Sequence, residues 1–418
     1  MNRVISPRSL KWIVLTFLFV VPIGHASAIT LTGSNGRAVE FAGLKDATPK
    51  GITAQMQPEG DIIGIPWNKL DLKALETEHP LIFAAYRASQ NGETISLNLG
   101  TFETEESKAM KEQARPARAR FPGWFDTEIG GTAFAIQPPV GTAKAILLIA
   151  VGDGGRSMNF LTGFEVGTGI FGELQTKESV AIMSYYIDYR LGDPREMPEI
   201  AFAENKLADQ ILEAVSTIAA KSNRPDLVDL PFLVYGSERF GATVAYSFVQ
   251  AKPEVVLAAV CAKGAFYNSD PTPASASVPI LFQWGEYSNA HEIWNSEHPA
   301  TSALERSRST NSLWTGAIQF RGHDEIDQVT EYLGKKYLED MLKARLREEK
   351  GEEEGPQGWI QPLDHNSGYI GAWKELTYEK IEGEEFTLEE GQTFIPSLTW
   401  AKLWKEYGDG SLEAPRSN

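Results

Sequence analysis

The stretch Leu230–Val249 (LPFLVYGSERFGATVAYSFV) joins a short apolar run to a cluster of small residues and then to a helix-like segment. A strand that turns sharply into a helix can hold one side chain at the top of a sheet if small residues stand two positions away on either side. The best spacing centres on Arg239, between Ser237 and Gly241. A second alignment of the pattern has Ser237 at the centre, but its neighbours two positions away, Tyr235 and Arg239, are bulky. We call these two alignments the two frames. An ordinary buried strand that enters an amphipathic helix would give the same pattern.

The two frames predict different chemistry. A serine at such a turn can act as a nucleophile in acyl transfer, whereas Arg239 cannot attack a carbonyl group because it keeps its proton. An arginine in this place favours an anionic ligand such as a carboxylate or a sugar acid. It could equally extend into solvent or pair with Glu238 or Asp153.

Two other stretches could contribute to the same site. Gly152–Gly155 follows the apolar run Ala145–Val151, and Gly322–Glu325 (GHDE) precedes the last long amphipathic segment. A glycine-rich turn can present backbone N–H groups to a negatively charged oxygen, and the imidazole of His323 can act as a general base. A plain connecting loop and a surface histidine are the alternatives. All three stretches follow predicted strands, so a parallel sheet would bring them to one edge.

The elements that would position these residues alternate along the chain. Amphipathic helices are predicted between the second and third strands (Leu207, Ile211, Val215 and Ile218 on one stripe) and after the last. The pattern favours an α/β fold with a doubly wound, mostly parallel sheet over residues 123–345. The predicted strands are Ala145–Val151, Val180–Ile187, Pro231–Tyr235, Val255–Cys261, Val278–Trp284 and Ala317–Phe320, preceded by a hairpin-like stretch in Gly123–Pro138.

The amino-terminal part is predicted to contain an export signal and a small β domain. Residues 1–28 have a basic start, the apolar run Trp12–Ile23 and the small residues Ala26-Ser27-Ala28, as a secretory signal does. The apolar run is short for a membrane span, and we expect no stable membrane insertion after cleavage. The expected location is therefore the periplasm or the cell exterior.

Residues 29–82 contain several short predicted strands and an Asn35-Gly36 hairpin turn, which together suggest a small barrel. The segment GRAVEFAGLKD, followed by ITAQMQPEGDIIGIPWNKLDLKAL, resembles the Src-homology-3-like barrels at the amino termini of many exported bacterial proteins. Such barrels often bind peptides or polysaccharides. A helix interrupted by Pro80 is predicted over Leu72–Ala88, and a polar linker is predicted over residues 101–122. Residues 83–122 are therefore expected to connect the small barrel to the main domain. Residues 346–418 are predicted to form an acidic spacer and an aromatic tail packed on the main domain.

Charge and cysteine content exclude several classes of partner. The formal net charge is −17, and loss of the three basic residues of the signal, which has no acids, takes it to −20. Nucleic acids and anionic membranes bind to basic surfaces, so neither is expected as a partner of this acidic chain. Cys261 is the single cysteine, which excludes an intramolecular disulfide. We expect no metal or other cofactor, since His291 and His298 lack a convincing ligand spacing.

Residues from about 125 to 345 resemble exported bacterial esterases of the α/β-hydrolase fold. These carry a Gly-x-Ser-x-Gly-Gly…Tyr elbow and then Pro-Glu-x-Val-x-Ala-x-x-x-x-Lys-Gly; this chain has GATVAY at 241–246, PEVVLA at 253–258 and Lys263-Gly264. Counted back from Tyr246, the nucleophile position falls on Arg239. The resemblance implies that His323 occupies the histidine position and that Gly154, Gly155 and the N–H of Phe240 form the oxyanion loop.

The resemblance also implies a replaced acid. Family members often carry Gly-Glu-x-Asp, whose aspartate orients the histidine, and here Ser288 occupies that position. Glu286 or Asp270 could substitute from nearby loops. A histidine without a carboxylate partner loses its fixed tautomer and much of its rate.

Two functions remain open from the sequence. The chain is either a non-catalytic binding protein on a hydrolase fold, or an active secreted carboxylesterase that uses Ser237, His323 and Glu286 or Asp270. The expected partner is a small-molecule ester or an anionic ligand, and carbohydrates are among the candidates.

Overall fold

The computed structural model describes residues 29–56, 62–90, 95–100, 121–130, 132–152, 157–158, 160–188, 206–264, 266–267, 269–288, 298–383 and 386–415. The predicted signal at 1–28 and most of the predicted linker, 101–120, lie outside this part of the chain. The chain divides into two compact units, residues 1–113 and 114–418.

The first unit combines two small antiparallel sheets with two helices. The predicted Asn35-Gly36 hairpin is confirmed, because β1 and β2 pair antiparallel around Gly36, whose φ is +73°. The other sheet has the order β5-β4-β3-β6. The elements are β1 (Ile29–Thr32), β2 (Ala38–Phe41), β3 (Gly43–Thr48), β4 (Gly51–Gln55), β5 (Ile62–Pro66), α1 (Leu72–Glu78), α2 (Pro80–Ser89) and β6 (Ile95–Gly100).

The helical segment of this unit breaks where the sequence predicted. Asp71 caps α1 by accepting hydrogen bonds from the N–H groups of Lys73 and Ala74. Pro80 is the first residue of α2, a position where its missing N–H costs nothing. The strand β6 was not predicted, since six residues of alternating polarity give only a weak signal. The barrel architecture stays a prediction.

The second unit is built on one large sheet. Its strand order is β15-β14-β13-β12-β9-β11-β8-β7, with β10 pairing β11 off this path. Pairing is parallel from β15 through β11 and antiparallel at β8 and β7. The strands are β7 (Phe125–Ile129), β8 (Thr132–Gln137), β9 (Ala145–Val151), β10 (Ser157–Met158), β11 (Val180–Asp188), β12 (Phe232–Ser237), β13 (Val256–Ala262), β14 (Ile280–Gly285) and β15 (Trp314–Gln319).

Helices cover both faces of this sheet, which confirms the predicted doubly wound fold. Successive residues of β12 show the two sides: Tyr235 lies against Gly334 of one helix, whereas Gly236 faces Ala245 of another. The helices are α3 (Phe160–Thr168), α4 (Gly172–Glu178), α5 (Leu207–Ser222), α6 (Glu238–Ala251), α7 (Pro273–Ala276), α8 (Pro299–Ser307), α9 (Gln328–Arg345) and α10 (Leu398–Asp409).

The last strand begins earlier than predicted. Its bounds are Trp314–Gln319, not Ala317–Phe320, because Trp314 and Thr315 are fully buried while Phe320 is 42% exposed. The predicted packing of the aromatic tail is confirmed. Trp404 of α10 donates from Nε1 to the carbonyl of Gly316 at 2.7 Å, and the small sheet β16 (Tyr369–Ala372), β17 (Thr377–Lys380) and β18 (Gln392–Ile395) precedes this helix.

Candidate active site

The turn between β12 and α6 has its strained residue at Glu238. Its φ is +60°, a left-handed conformation that costs a non-glycine residue free energy. A Cβ atom added to Gly236 would lie 2.2 Å from the carbonyl oxygen of Gly241. A Cβ atom added to Gly241 would lie 2.1 Å from the carbonyl oxygen of Ala150. The glycines therefore let β12, α6 and β9 approach closely, two positions before Glu238 and three positions after it.

The residues of the two predicted frames lie on either side of this turn. Arg239 is the second residue of α6. Ser237 is the last residue of β12, where its backbone is extended and pairs with Val151 and Ala262. Its exposure is 4%, and its carbonyl accepts a hydrogen bond from the N–H of Gly152.

The predicted oxyanion loop is described only in part, because Gly154 and Gly155 lie outside the described residues. Gly152 packs against the start of α6, where an added Cβ would lie 2.9 Å from the Cβ of Phe240. Phe240 is buried in the first turn of α6 and stacks on Phe266. The end of β9 and the start of α6 thus lie together, and the oxyanion loop itself stays a prediction.

His323 lies on the loop that follows β15, where the sequence placed it. This loop packs on the turn after β14: the N–H of Tyr287 donates to the carbonyl of Gly322 at 2.9 Å. The side chain of His323 is exposed, and its ring lies 5.6 Å from that of Tyr287. An exposed imidazole beside a half-exposed tyrosine can meet a ligand at this edge.

Ser288, at the predicted acid position, belongs to a hydrogen-bonded chain. Its Oγ hydrogen-bonds to a carboxylate oxygen of Asp324 and lies 3.1 Å from Nε2 of His298. Nδ1 of His298 accepts from the N–H of Ala300, so Nε2 carries the proton. The chain therefore runs from His298 through the Ser288 hydroxyl to Asp324, and the hydroxyl proton is directed to a carboxylate.

The two substitute acids make contacts of their own. Glu286 accepts through Oε2 from the backbone N–H of Arg321 at 2.8 Å. Asp270 forms an ion pair with Arg306 at 3.2 Å, and its side chain is 82% exposed. Neither of these contacts includes the imidazole of His323.

Lys263 is a site residue that chemical reasoning from the sequence missed. It follows β13, has a φ of +56° and is 3% exposed. Its Nζ donates to Oε1 of Gln319 at 2.7 Å and to the carbonyl of His323 at 2.8 Å. Burial lowers the pKa of Lys263 from 10.5 to about 8. The one sign of Lys263 in the sequence is the Lys263-Gly264 pair, which matches the motif of the exported esterases but has no role assigned to it there.

The described residues contain neither a cluster of metal ligands nor a membrane-spanning helix. Within the described ranges, no three His, Cys, Asp or Glu side chains are grouped as metal ligands. His291 lies outside those ranges, and His298 caps α8. No helix in the described part of the chain is long and apolar enough to cross a membrane.

Comparisons with known proteins find likeness in structure alone. No family model and no curated protein matches the chain. Similar solved structures include TT1662 from Thermus thermophilus (17% identity, 53% of this chain and 98% of that one, TM-score 0.37). Esterase PE8 is similar at 16% identity over 50% of this chain and 97% of that one, with a TM-score of 0.37. The Bacillus cereus carboxylesterase is similar at 12% identity over 50% of this chain and 93% of that one, with a TM-score of 0.37.

The sheet order does not follow the chain, because β9 and β11 are exchanged, and β8 pairs antiparallel with β11; this defines a doubly wound, mostly parallel α/β fold. The turn after β12, the loop after β15 and the end of β13 lie at the carboxyl edge of its sheet. Ligand sites of open α/β sheets form at this edge.

Proposed function

We propose that this chain is an exported α/β-hydrolase-fold protein that binds a ligand at the carboxyl edge instead of hydrolysing esters through a serine. The observation that carries the proposal is the left-handed φ of +60° at Glu238. A residue in that conformation at the strand-to-helix turn is the one lifted above the sheet. The lifted side chain is thus a carboxylate, and neither Ser237 nor Arg239 stands at the turn.

The surroundings of Ser237 support this proposal. A serine nucleophile needs a base that takes its proton and an acid that fixes the base. Ser237 is buried in the ladder of β12, while Ser288 at the acid position directs its own proton to Asp324. The alternative, a serine carboxylesterase that uses Ser237 and His323, would require the end of β12 to rearrange.

The residues of the edge favour a neutral carbohydrate ligand over an anionic one. Glu238 and Asp324 are carboxylates, which accept hydrogen bonds from hydroxyl groups and repel anions. The cation of Lys263 is buried and donates to protein acceptors. Tyr287, 53% exposed beside His323, offers an aromatic face for the apolar side of a sugar ring.

Labelling with a fluorophosphonate probe, followed by intact mass and peptide mapping, tests the catalytic part. We expect no adduct on the wild-type protein, and an adduct on Ser237 would overturn the binding function. The matched variants Glu238→Ser and Arg239→Ser test the frame: a new adduct is expected for the first and not for the second. Labelling of Arg239→Ser instead would place the turn one residue later.

Calorimetric titration with xylohexaose, cellohexaose and hexagalacturonic acid tests the ligand. We expect a neutral oligosaccharide to bind and Tyr287→Ala to weaken its binding about tenfold, by analogy with nucleic-acid bases, for which stacking on an aromatic side chain contributes about 1–3 kcal/mol. Val228→Ala, at the opposite edge and 41% exposed, is the control and should bind normally. Preference for the uronic acid would overturn the neutral ligand in favour of an anionic one, and binding of none would overturn carbohydrate binding.

A further inference from the structure

A cavity lies at the amino edge of the large sheet, at the opposite end of the strands from the turn at Glu238. Its volume is about 530 Å³, within the range that suits a small ligand. Its walls come from loops before β13, β14 and β15 and from the segment that follows α9. Polar residues Ser277, Thr310 and Gln357 and apolar residues Leu313, Leu363 and Phe386 are among those that line it.

Arg345, the last residue of α9, lines this cavity while being only 5% exposed. Its Nε donates to the carbonyl of Gln361 at 3.2 Å, and its Nη1 donates to the carbonyls of Val256 and Leu257. These bonds fix the plane of the guanidinium against the start of β13. Because the side chain is already held rigidly, it would lose little conformational entropy when a ligand binds.

The buried guanidinium lacks an anionic partner within the described part of the chain. None of the ion pairs found there includes Arg345, and no hydrogen bond found there uses its Nη2 group. Burial lowers the pKa of Arg345 to about 10. Three carbonyl groups and the carboxyl end of α9 offset part of the charge, but a buried cation is normally paired with an anion.

We propose that this cavity binds a small monocarboxylate with an apolar body, whose carboxylate accepts hydrogen bonds from Nη2 of Arg345. The apolar walls formed by Leu313, Leu363 and Phe386 would cover the body of the ligand. One acid, Glu254, also lines the cavity, but it is exposed and its charge is screened by solvent. The half-buried His365 lies beside Phe386 and adds no negative charge.

The probes are benzoate and its uncharged analogue benzamide, titrated calorimetrically into the full chain. N-acetylphenylalanine and its amide form a second pair, which distinguishes a free acid from the end of a peptide as the source of the carboxylate. We expect one or both acids to bind and both amides to fail. Equal binding of acid and amide, or no binding of either acid below about 10 mM, would overturn the proposal.

Variants of Arg345 itself could unfold, because the residue also anchors α9. Gln357 is a better position at which to change the charge of the cavity, because its exposed side chain can be replaced at the cavity wall without unfolding the protein. We expect Gln357→Glu to weaken binding of the acid about tenfold and Gln357→Lys to preserve or strengthen it, because only the charge near the ligand differs. Equal affinities in the two variants would contradict a carboxylate at this place.

Tyr287→Ala serves as the positional control. It lies at the carboxyl edge, so this variant should bind benzoate as the wild-type protein does while its carbohydrate binding falls. If Tyr287→Ala lost the binding of both carbohydrate and benzoate, benzoate would bind at the carboxyl edge, and the proposed site at Arg345 would be overturned.

Discussion

Lys263 donates from Nζ to the backbone carbonyl of His323 at 2.8 Å, so a buried ammonium group ties the end of β13 to the loop after β15. The same Nζ donates to Gln319 of β15, whose Nε2 in turn donates to Asp327. Asp327 caps α9 by accepting from the N–H of Thr330. The position of His323 therefore depends on a buried polar network and not only on the length of its loop.

The pKa of Lys263 predicts a pH dependence of stability. The folded pKa of about 8 lies below the ordinary 10.5, so between these values the unfolded chain binds a proton that the folded chain does not. The free energy of unfolding should then rise with pH, by about 2 kcal/mol between pH 8 and 10. Urea unfolding of wild type and Lys263→Met across this range measures the effect.

The comparison of the two proteins isolates this lysine from the other groups that titrate at alkaline pH. Lys263→Met should be less stable at every pH because the acceptors of Lys263 lose their donor. The gap should widen as pH rises from 8 to 10. Two profiles that run parallel would show that Lys263 keeps an ordinary pKa.

The conformation of Glu238 predicts opposite effects of glycine at neighbouring positions. At 238 we expect glycine to be about 1 kcal/mol more stable than alanine, because only glycine tolerates the left-handed φ without cost. At 239, inside the first turn of α6, alanine should be more stable than glycine by a similar amount. Urea denaturation of the four variants measures both differences, and the same order at both positions would contradict the assigned turn.

The sequence predicted the sheet well because its strands are buried on both faces. Ala145–Val151 is the example: a continuous apolar run predicted β9 with its observed bounds. The pattern is weaker for β15, because the apolar Phe320 extends the predicted strand although its side chain is exposed. Strand order needed the structure, since an apolar run does not record its neighbours.

The site was less predictable, since its key positions depend on contacts between elements. The elbow rule asks for small residues near the turn, but Phe240 is accommodated by stacking on Phe266, and the close approach falls at Gly241. This shifts the turn from Arg239 to Glu238. Asp324 lies 36 residues from its partner Ser288, and His323 lies 60 residues from its partner Lys263, beyond any spacing rule.

The close approach at Gly241 predicts a large effect of one methyl group. Gly241→Ala would place a Cβ about 2.1 Å from the carbonyl oxygen of Ala150, and rigid backbone on both sides cannot give way cheaply. We expect a loss of about 3 kcal/mol in the free energy of unfolding. Gly141→Ala is the control, because nothing lies within 4 Å of the added Cβ, and its effect should stay within about 0.5 kcal/mol. Similar thermal unfolding of the two variants would refute the tight contact.

The contact between Ser288 and Asp324 predicts that an aspartate cannot simply be restored at the acid position. Ser288→Asp would put a second carboxylate against Asp324 in a site where Ser288 is only 6% exposed. The repulsion should raise the pKa of one of the two carboxyl groups and destabilise the fold by about 2 kcal/mol at pH 7. The neutral, similarly sized Ser288→Asn is the matched control.

The sign of the pH effect follows from that raised pKa. A carboxyl group whose pKa is higher in the folded state binds its proton more readily there, so the destabilisation should fade as pH decreases. The difference between Ser288→Asp and Ser288→Asn should therefore be largest at pH 7 and nearly vanish below about pH 3, where the carboxyl groups are mostly protonated in either state. A difference that does not change with pH would show that the new carboxylate lies away from Asp324 and keeps an ordinary pKa.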